Sequence, residues 1–157
     1  MKVTADLHIG DTHLARRGFG GSAGAMAEYV LGIWNRDVEA KEDVYVLGDF
    51  IVDIEWVNIV SRMAGQIHLI RGNHEQPRIM SALYAAGVDV MGWVHGLSVD
   101  DQRVILCHKW ADNGSAVVLH GHGHNAMPGD VGIWTWDKIV DIREAIAWAS
   151  TSGQRGA

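Results

Sequence analysis

The chain reads as an α/β layered domain built on a mixed sheet. Three observations carry that reading. In the first half, short apolar runs alternate with segments of helical periodicity, as strand–helix–strand units do. In the second half, strand-like runs follow one another with few helical patterns between them. The 157 residues, 48% hydrophobic and 20% charged, suit one domain spanning 1–157 whose core needs no disulfide.

Lys2 to Ala5 opens as the first strand. A helix is expected over Ser22 to Asn35, because Met26, Val30, Ile33 and Trp34 recur at i, i+4, i+7 and i+8, and Ser22 suits the N-cap. The glycine-rich stretch Gly18 to Gly24 before it reads as a surface loop. Val44 to Leu47 is apolar throughout, as a strand covered on both faces would be. Asp53 and Gly65 bracket a second helix over Ile54 to Ala64. Ile67 to Ile70 is the next strand, and Pro77 suits the first turn of a third helix ending near Gly87. Val88 to Met91, Val94 to Val99, Val104 to Cys107, Ala116 to Leu119 and Val131 to Trp136 read as strands. Asp141-Ile-Arg-Glu144 resembles a capping box opening a last helix, with Ile142, Ala145, Ile146 and Ala149 facing inward.

Several function classes fall away at this level. No run of about 18 apolar residues occurs, so no membrane-spanning helix is expected. Thr4 and Asp6 come too early for the apolar core of a signal peptide. The lone Cys107 fits a reducing compartment, and a cytoplasmic location is expected. A net charge of −6 argues against stable binding of long nucleic acid.

The chemistry gathers where the strands end. Strand one runs into Asp6-Leu-His8, strand two into Gly48-Asp49, and strand three into Gly72-Asn-His-Glu75. The Val104 strand runs into His108, and the Ala116 strand into His120-Gly-His122-Gly-His124. In open α/β sheets the carboxyl ends of strands line the ligand crevice, so five segments deliver carboxylate, amide and imidazole groups to one edge. Asp oxygens with His nitrogens suit Mn²⁺, Fe or Zn²⁺, while a single cysteine excludes a thiolate site. More ligands are present than one ion needs, which favours two ions about 3.5–4 Å apart, the arrangement used for displacement at phosphorus.

In this order, the blocks Asp6-Leu-His8, Gly48-Asp49, Gly72-Asn-His-Glu75, His108 and Gly121-His-Gly-His124 resemble the five signature blocks of the calcineurin-like metallophosphoesterases. The likeness spans nearly the whole chain and is closest to the small single-domain bacterial and phage members. It implies a two-sheet αββα sandwich and two divalent metal ions, Mn²⁺ favoured with Fe or Zn²⁺ as the alternatives. By the same resemblance Asp6, His8 and His124 hold the first ion, Asp49 bridges both, and Asn73, His108 and His122 hold the second. His74 is not a ligand in that pattern. It stabilises the phosphoryl oxygens or protonates the leaving oxygen, and with Asp49 and Asn73 makes up the catalytic set. Glu75 either orients His74 or simply sits on the loop.

The activity so implied is hydrolysis of a small phosphoester by in-line attack of a hydroxide shared between the metals. Gly48-Asp-Phe-Ile-Val-Asp53 lacks the arginine that protein phosphatases of the superfamily carry after this block, which disfavours protein substrates. A dianionic monoester benefits from an arginine clamp, and the motifs supply no obvious one, so small phosphodiesters such as 2′,3′-cyclic nucleotides are the favoured substrates. A phosphomonoesterase and a noncatalytic binding scaffold are the alternatives; the complete ligand set with His74 disfavours the scaffold. Asp11-Thr-His13 lacks a preceding apolar strand and reads as a loop, as does the segment carrying Arg16 and Arg17. Lys109 either helps neutralise phosphate or is solvated. His120 is expected behind the ligands or in the core, and His68 and His95 are expected to be structural.

Overall fold

The computed structural model describes residues 1–110, 114–123 and 128–152. β1 (Lys2–Thr4), β2 (Asp43–Leu47), β3 (Gln66–Ile70) and β4 (Asp89–Val90) run parallel in one sheet, and β8 (Val140–Asp141) joins β1 antiparallel, giving the order β4-β3-β2-β1-β8. β5 (Val94–Val99), β6 (Gln102–Cys107) and β7 (Val117–Leu119) form a second sheet, β6 antiparallel to β5 and parallel to β7.

Two cores follow from the fact that β2 and β3 carry apolar residues on both faces. On one face, Val44, Val46 and Leu69 pack with Ala27, Val30 and Trp34 of α2 (Ala23–Asp37), Val57 and Val60 of a 3₁₀ helix (Ile54–Arg62), and Ile79 and Leu83 of α3 (Pro77–Ala85). On the other, Val3, Ala5, Leu47 and Ile70 meet Val104, Leu106 and Leu119 of the second sheet. α5 (Ile142–Ser152) completes that second core with Ile142, Ala145 and Ile146. Among the described residues no helix is long and apolar enough to cross a membrane.

The expected α2 is present, and Ser22 Oγ caps it by accepting from Ala25 N at 3.1 Å. Four local readings are corrected. The Ile54 segment is 3₁₀ rather than α: Val57, Val60 and Met63 are buried with Ile54 partly so, a three-residue repeat that matches three residues per turn. Asp11 opens α1 (Thr12–Gly18) rather than a loop, its Oδ1 accepting from His13 N and Leu14 N at 2.8 and 2.9 Å. Only Ala15 of α1 is buried, so no apolar period betrayed it.

Ile133–Trp136 is a short helix, α4, rather than a strand. Its alternating tryptophans mimic a strand, but each indole N–H turns to a carbonyl, Trp134 to Asp6 at 2.5 Å and Trp136 to Asp130 at 2.8 Å. At Asp141 only half of the capping box forms. Arg143 N donates to Asp141 Oδ1 at 2.9 Å, while Glu144 accepts from Lys138 Nζ at 2.7 Å instead of reaching back.

His68 is structural, as expected. Its two ring nitrogens lie 2.9 Å from Asp43 and 3.0 Å from Asp89 on the flanking strands. Burial alone would lower the His68 pKa, but those two carboxylates outweigh it and hold it above the ordinary value.

Candidate metal centre

Because β1, β2 and β3 are parallel, their carboxyl ends hand the chain to Asp6-Leu-His8, Gly48-Asp49 and Gly72-Asn-His-Glu75 at one edge. β6 and β7, also parallel, deliver His108 and His120-Gly-His122. Backbone bonds stitch these loops together. Asp6 N donates to Gly48 O at 3.1 Å, His8 N to Asp49 O at 2.8 Å, and Gly121 N to His108 O at 3.1 Å.

The local backbone is unusual. Asp6, His8, Asp49 and His122 have φ of 58°, 50°, 52° and 66°, the left-handed region that costs a non-glycine residue roughly 1–3 kcal/mol. Such conformations cluster at functional sites, and here four of them converge. Gly72 is needed for close approach: a Cβ there would collide with the Asp49 carboxylate and lie 2.8 Å from Glu75 Oε2.

Two groups of side chains present ligand atoms within 4.8 Å of one another: His8, Asp49 and His74, and Asp49, His108 and His122. Asp49 belongs to both. Its Oδ2 lies 3.4 Å from His108 Nε2, 3.6 Å from His8 Nε2 and 3.8 Å from His74 Nε2. Its Oδ1 accepts from His74 N at 3.0 Å.

His108 Nδ1 lies 2.8 Å from the Leu47 carbonyl. A carbonyl only accepts, so Nδ1 donates to it and Nε2 is left facing the cluster, where it offers a lone pair once a cation displaces its proton, the way a ligating histidine is oriented. That Nε2 lies 3.0 Å from Asn73 Oδ1 and 3.2 Å from His122 Nδ1. Imidazole, amide and carboxylate lone pairs thus converge on one space, and a cation is what such a space accommodates. The residues present therefore fit divalent metal.

The electrostatics agree. Burial would raise the Asp49 pKa, but the hydrogen bonds of His108 and of His74 N–H prevail and bring it down to about 2. Burial would lower His108, but Asp49 holds it above the usual imidazole value. Asp6 is fully buried, and that burial pushes it up to about 7 against the opposing His108 charge and the His122 N–H, which sits 2.8 Å from its Oδ2.

Of the sequence-predicted ligands, His8, Asp49, His108 and His122 fall into these groups and Asn73 touches one of them. Asp6 lies beneath, its Oδ1 3.9 Å from His108 Nδ1. His124 lies outside the described residues. His74 stands at the rim, with its side chain 48% exposed. His120 is buried, its ring between the carbonyls of Gly121 and Pro128 at 3.1 Å each. His13, Arg16 and Arg17 are exposed on α1.

Glu75 does not reach for His74. It is 1% exposed and accepts from Phe50 N at 2.6 Å and Gly72 N at 2.8 Å, clamping the Asp49 loop to the Asn73 loop. A buried donor left unsatisfied costs about 1–3 kcal/mol, so Glu75→Ala is expected to destabilise the protein by roughly 2–5 kcal/mol in urea denaturation. Glu75→Gln, which keeps one acceptor oxygen, should cost about half as much. A loss under about 1 kcal/mol for the alanine variant would remove the clamp.

Two cavities meet the centre at adjacent residues. One, about 450 Å³, is lined by His74 with Asp11, Asp53 and Arg78. The other, about 330 Å³, is lined by Asn73 and His108 with Arg71, Trp93 and Lys109. Sequence reasoning missed Arg71, Arg78 and Trp93. Arg71 stood one residue before a recognised block, which is the one signal that pointed to it.

A family model for calcineurin-like phosphoesterases matches residues 7–145, and the chain belongs to that family. Among solved structures, a protein of unknown function, AQ665 from Aquifex aeolicus, superposes with a TM-score of 0.73 at 16% identity, covering 92% of this chain and 96% of that one. A novel archaeal phosphodiesterase superposes with a TM-score of 0.52 at 17% identity, covering 83% and 79%. Yfce, a phosphoesterase from E. coli, gives a TM-score of 0.48 at 18% identity, covering 78% and 69%. No curated protein matches the sequence.

Proposed function

We propose that this chain is a dinuclear-metal phosphoesterase acting on small phosphodiesters, with 2′,3′-cyclic nucleotides as the first substrates to test. The observation that carries the dinuclear reading is the Asp49 carboxylate, common to two groups of ligand atoms. Asp6, His8 and His124 would hold one ion and Asn73, His108 and His122 the other, with Asp49 between them. This oxygen–nitrogen set suits Mn²⁺, Fe or Zn²⁺, and Mn²⁺ is the ion to test first. When bound, two such ions supply Lewis acidity to the phosphoryl oxygens and make water acidic enough to act as a nucleophile near neutral pH.

The chain's own residues supply the rest. Asp49 Oδ1, by accepting the His74 N–H at 3.0 Å, fixes the backbone from which the imidazole reaches the reacting group. His74 donates a proton to the departing oxygen. Glu75 keeps the two loops in register.

The ground for a diester is not the one the motifs suggested. Arg71 and Arg78 each line a cavity, so arginine is at hand. What favours a diester is that cavities flank both Asn73 and His74, room for two ester substituents where a monoester has one. The acidic net charge disfavours long nucleic acid as the partner, and the lone Cys107 favours a cytoplasmic setting.

With Mn²⁺ present, kcat/KM should be higher for bis-p-nitrophenyl phosphate than for p-nitrophenyl phosphate, after correction for intrinsic reactivity. EDTA should abolish turnover and Mn²⁺ restore it. A clear monoester preference would overturn the substrate class. Full activity in demetallated protein would overturn the metal.

A further inference from the structure

The cavity beside Asn73 and His108 differs in kind from the polar one beside His74. Trp93 and Val94 stand in its wall, and they are 55% and 58% exposed, two large apolar side chains left in water next to the candidate centre. Trp93 is held there. Arg71 N donates to Gly92 O at 3.0 Å, which extends β3 alongside the Trp93 segment. The Arg71 guanidinium carbon sits 4.3 Å from the centroid of the Trp93 ring, a cation–π contact that covers part of the indole while more than half of the residue stays in solvent. Arg71 Nε is buried with no hydrogen-bond partner, so this nitrogen lacks the acceptor that buried donors normally have.

A planar aromatic group answers this wall. It stacks on an indole braced from behind, as bases stack on aromatic platforms, and the phosphoryl group it carries is left between Arg71 and the Asn73–His108 pair. The direction of the substrate follows from His74. That residue lines the other cavity, so the ester group that takes its proton departs on that side. The ester group that remains on phosphorus lies across Asn73 and His108.

We propose that Trp93, braced by Arg71, forms a subsite for a planar aromatic substituent, a nucleobase or an aryl ring, on the retained ester group of a phosphodiester. This rests on the diester reading, and the experiment below separates the two.

Calorimetry on Mn²⁺-loaded protein compares diphenyl phosphate with dimethyl phosphate. The wild type should bind the diphenyl ester about tenfold or more tightly, in the range of one stacked ring. Trp93→Ala should abolish most of that preference and leave dimethyl phosphate binding unchanged, whereas Trp93→Phe should keep most of it. The exposure of Trp93 makes the alanine variant compatible with folding, which circular dichroism checks. An unchanged preference in Trp93→Ala would overturn the subsite, whether or not the protein hydrolyses diesters.

The kinetic arm uses two diesters with the same leaving group. Trp93→Ala should raise KM about tenfold for bis-p-nitrophenyl phosphate and leave methyl p-nitrophenyl phosphate within about twofold, kcat changing little in either case. Equal losses on both would put the aromatic contact on the leaving side and overturn the assignment to the retained group. Absence of turnover with every ester in wild type would defeat the diester reading alone, and the calorimetric preference would still decide the subsite.

Discussion

Asp49→Ala is expected to empty both metal sites at once. Metal analysis of wild-type protein loaded with Mn²⁺ should return two ions per chain, and the variant should return fewer than one. The reason is geometric: Asp49 Oδ2 is 3.4 to 3.8 Å from three separate imidazoles, and no other described residue belongs to both groups of ligand atoms. Its negative charge is also what permits two cations to approach, since burial raises the pKa of this carboxylate less than its partners lower it. Losing two Lewis acids that each contribute several kcal/mol to the transition state should reduce kcat/KM by roughly 10³-fold or more. Asp49→Asn separates charge from scaffold. An amide oxygen can still accept the His74 N–H seen at 3.0 Å, so the loop should hold while the metals leave. Two ions retained in Asp49→Ala would take Asp49 out of the bridging role.

Most of this centre was legible because strand ends are legible. Val44 to Leu47 and Ile67 to Ile70 are apolar enough on both faces to be buried parallel strands, and a parallel sheet must present its carboxyl ends together. Asp49 and Asn73 therefore had to share an edge before any contact was known. The second sheet brought His108 and His122 to the same edge for the same reason, through the β6–β7 pairing.

What escaped was whatever depends on tertiary neighbours rather than on period. The sequence leaves Glu75 open between orienting its neighbour His74 and simply sitting on the loop. Its carboxylate instead answers the Phe50 and Gly72 N–H groups, one of which comes from a loop 25 residues away. Arg71 and Trp93 carry no motif. They meet because the chain beyond β3 pairs with Gly92, and no periodicity encodes that pairing. The Ile133 segment was misread because tryptophans at alternate positions satisfy a strand template, while their N–H groups had carbonyl partners that only the folded chain supplies.

His74→Ala is expected to part catalysis from metal binding. Its imidazole lies 3.8 Å from Asp49 Oδ2 and shares a group of ligand atoms with His8 and Asp49, so proximity alone makes it a third ligand to one ion. Its place argues otherwise: it lines the 450 Å³ cavity, away from the space where His108, His122 and Asn73 converge. A rim imidazole aimed at a cavity is placed to give a proton to a departing oxygen. The variant should then keep both ions while kcat falls by roughly 10²–10⁴, the usual range for a lost general acid. The fall should be steep for phenyl and alkyl esters and shallow for p-nitrophenyl esters, because p-nitrophenolate departs without help. Loss of one ion from His74→Ala would make this residue a ligand instead. Two retained ions with equal losses for good and poor leaving groups would mean that the imidazole stabilises charge on the phosphoryl oxygens rather than transferring a proton.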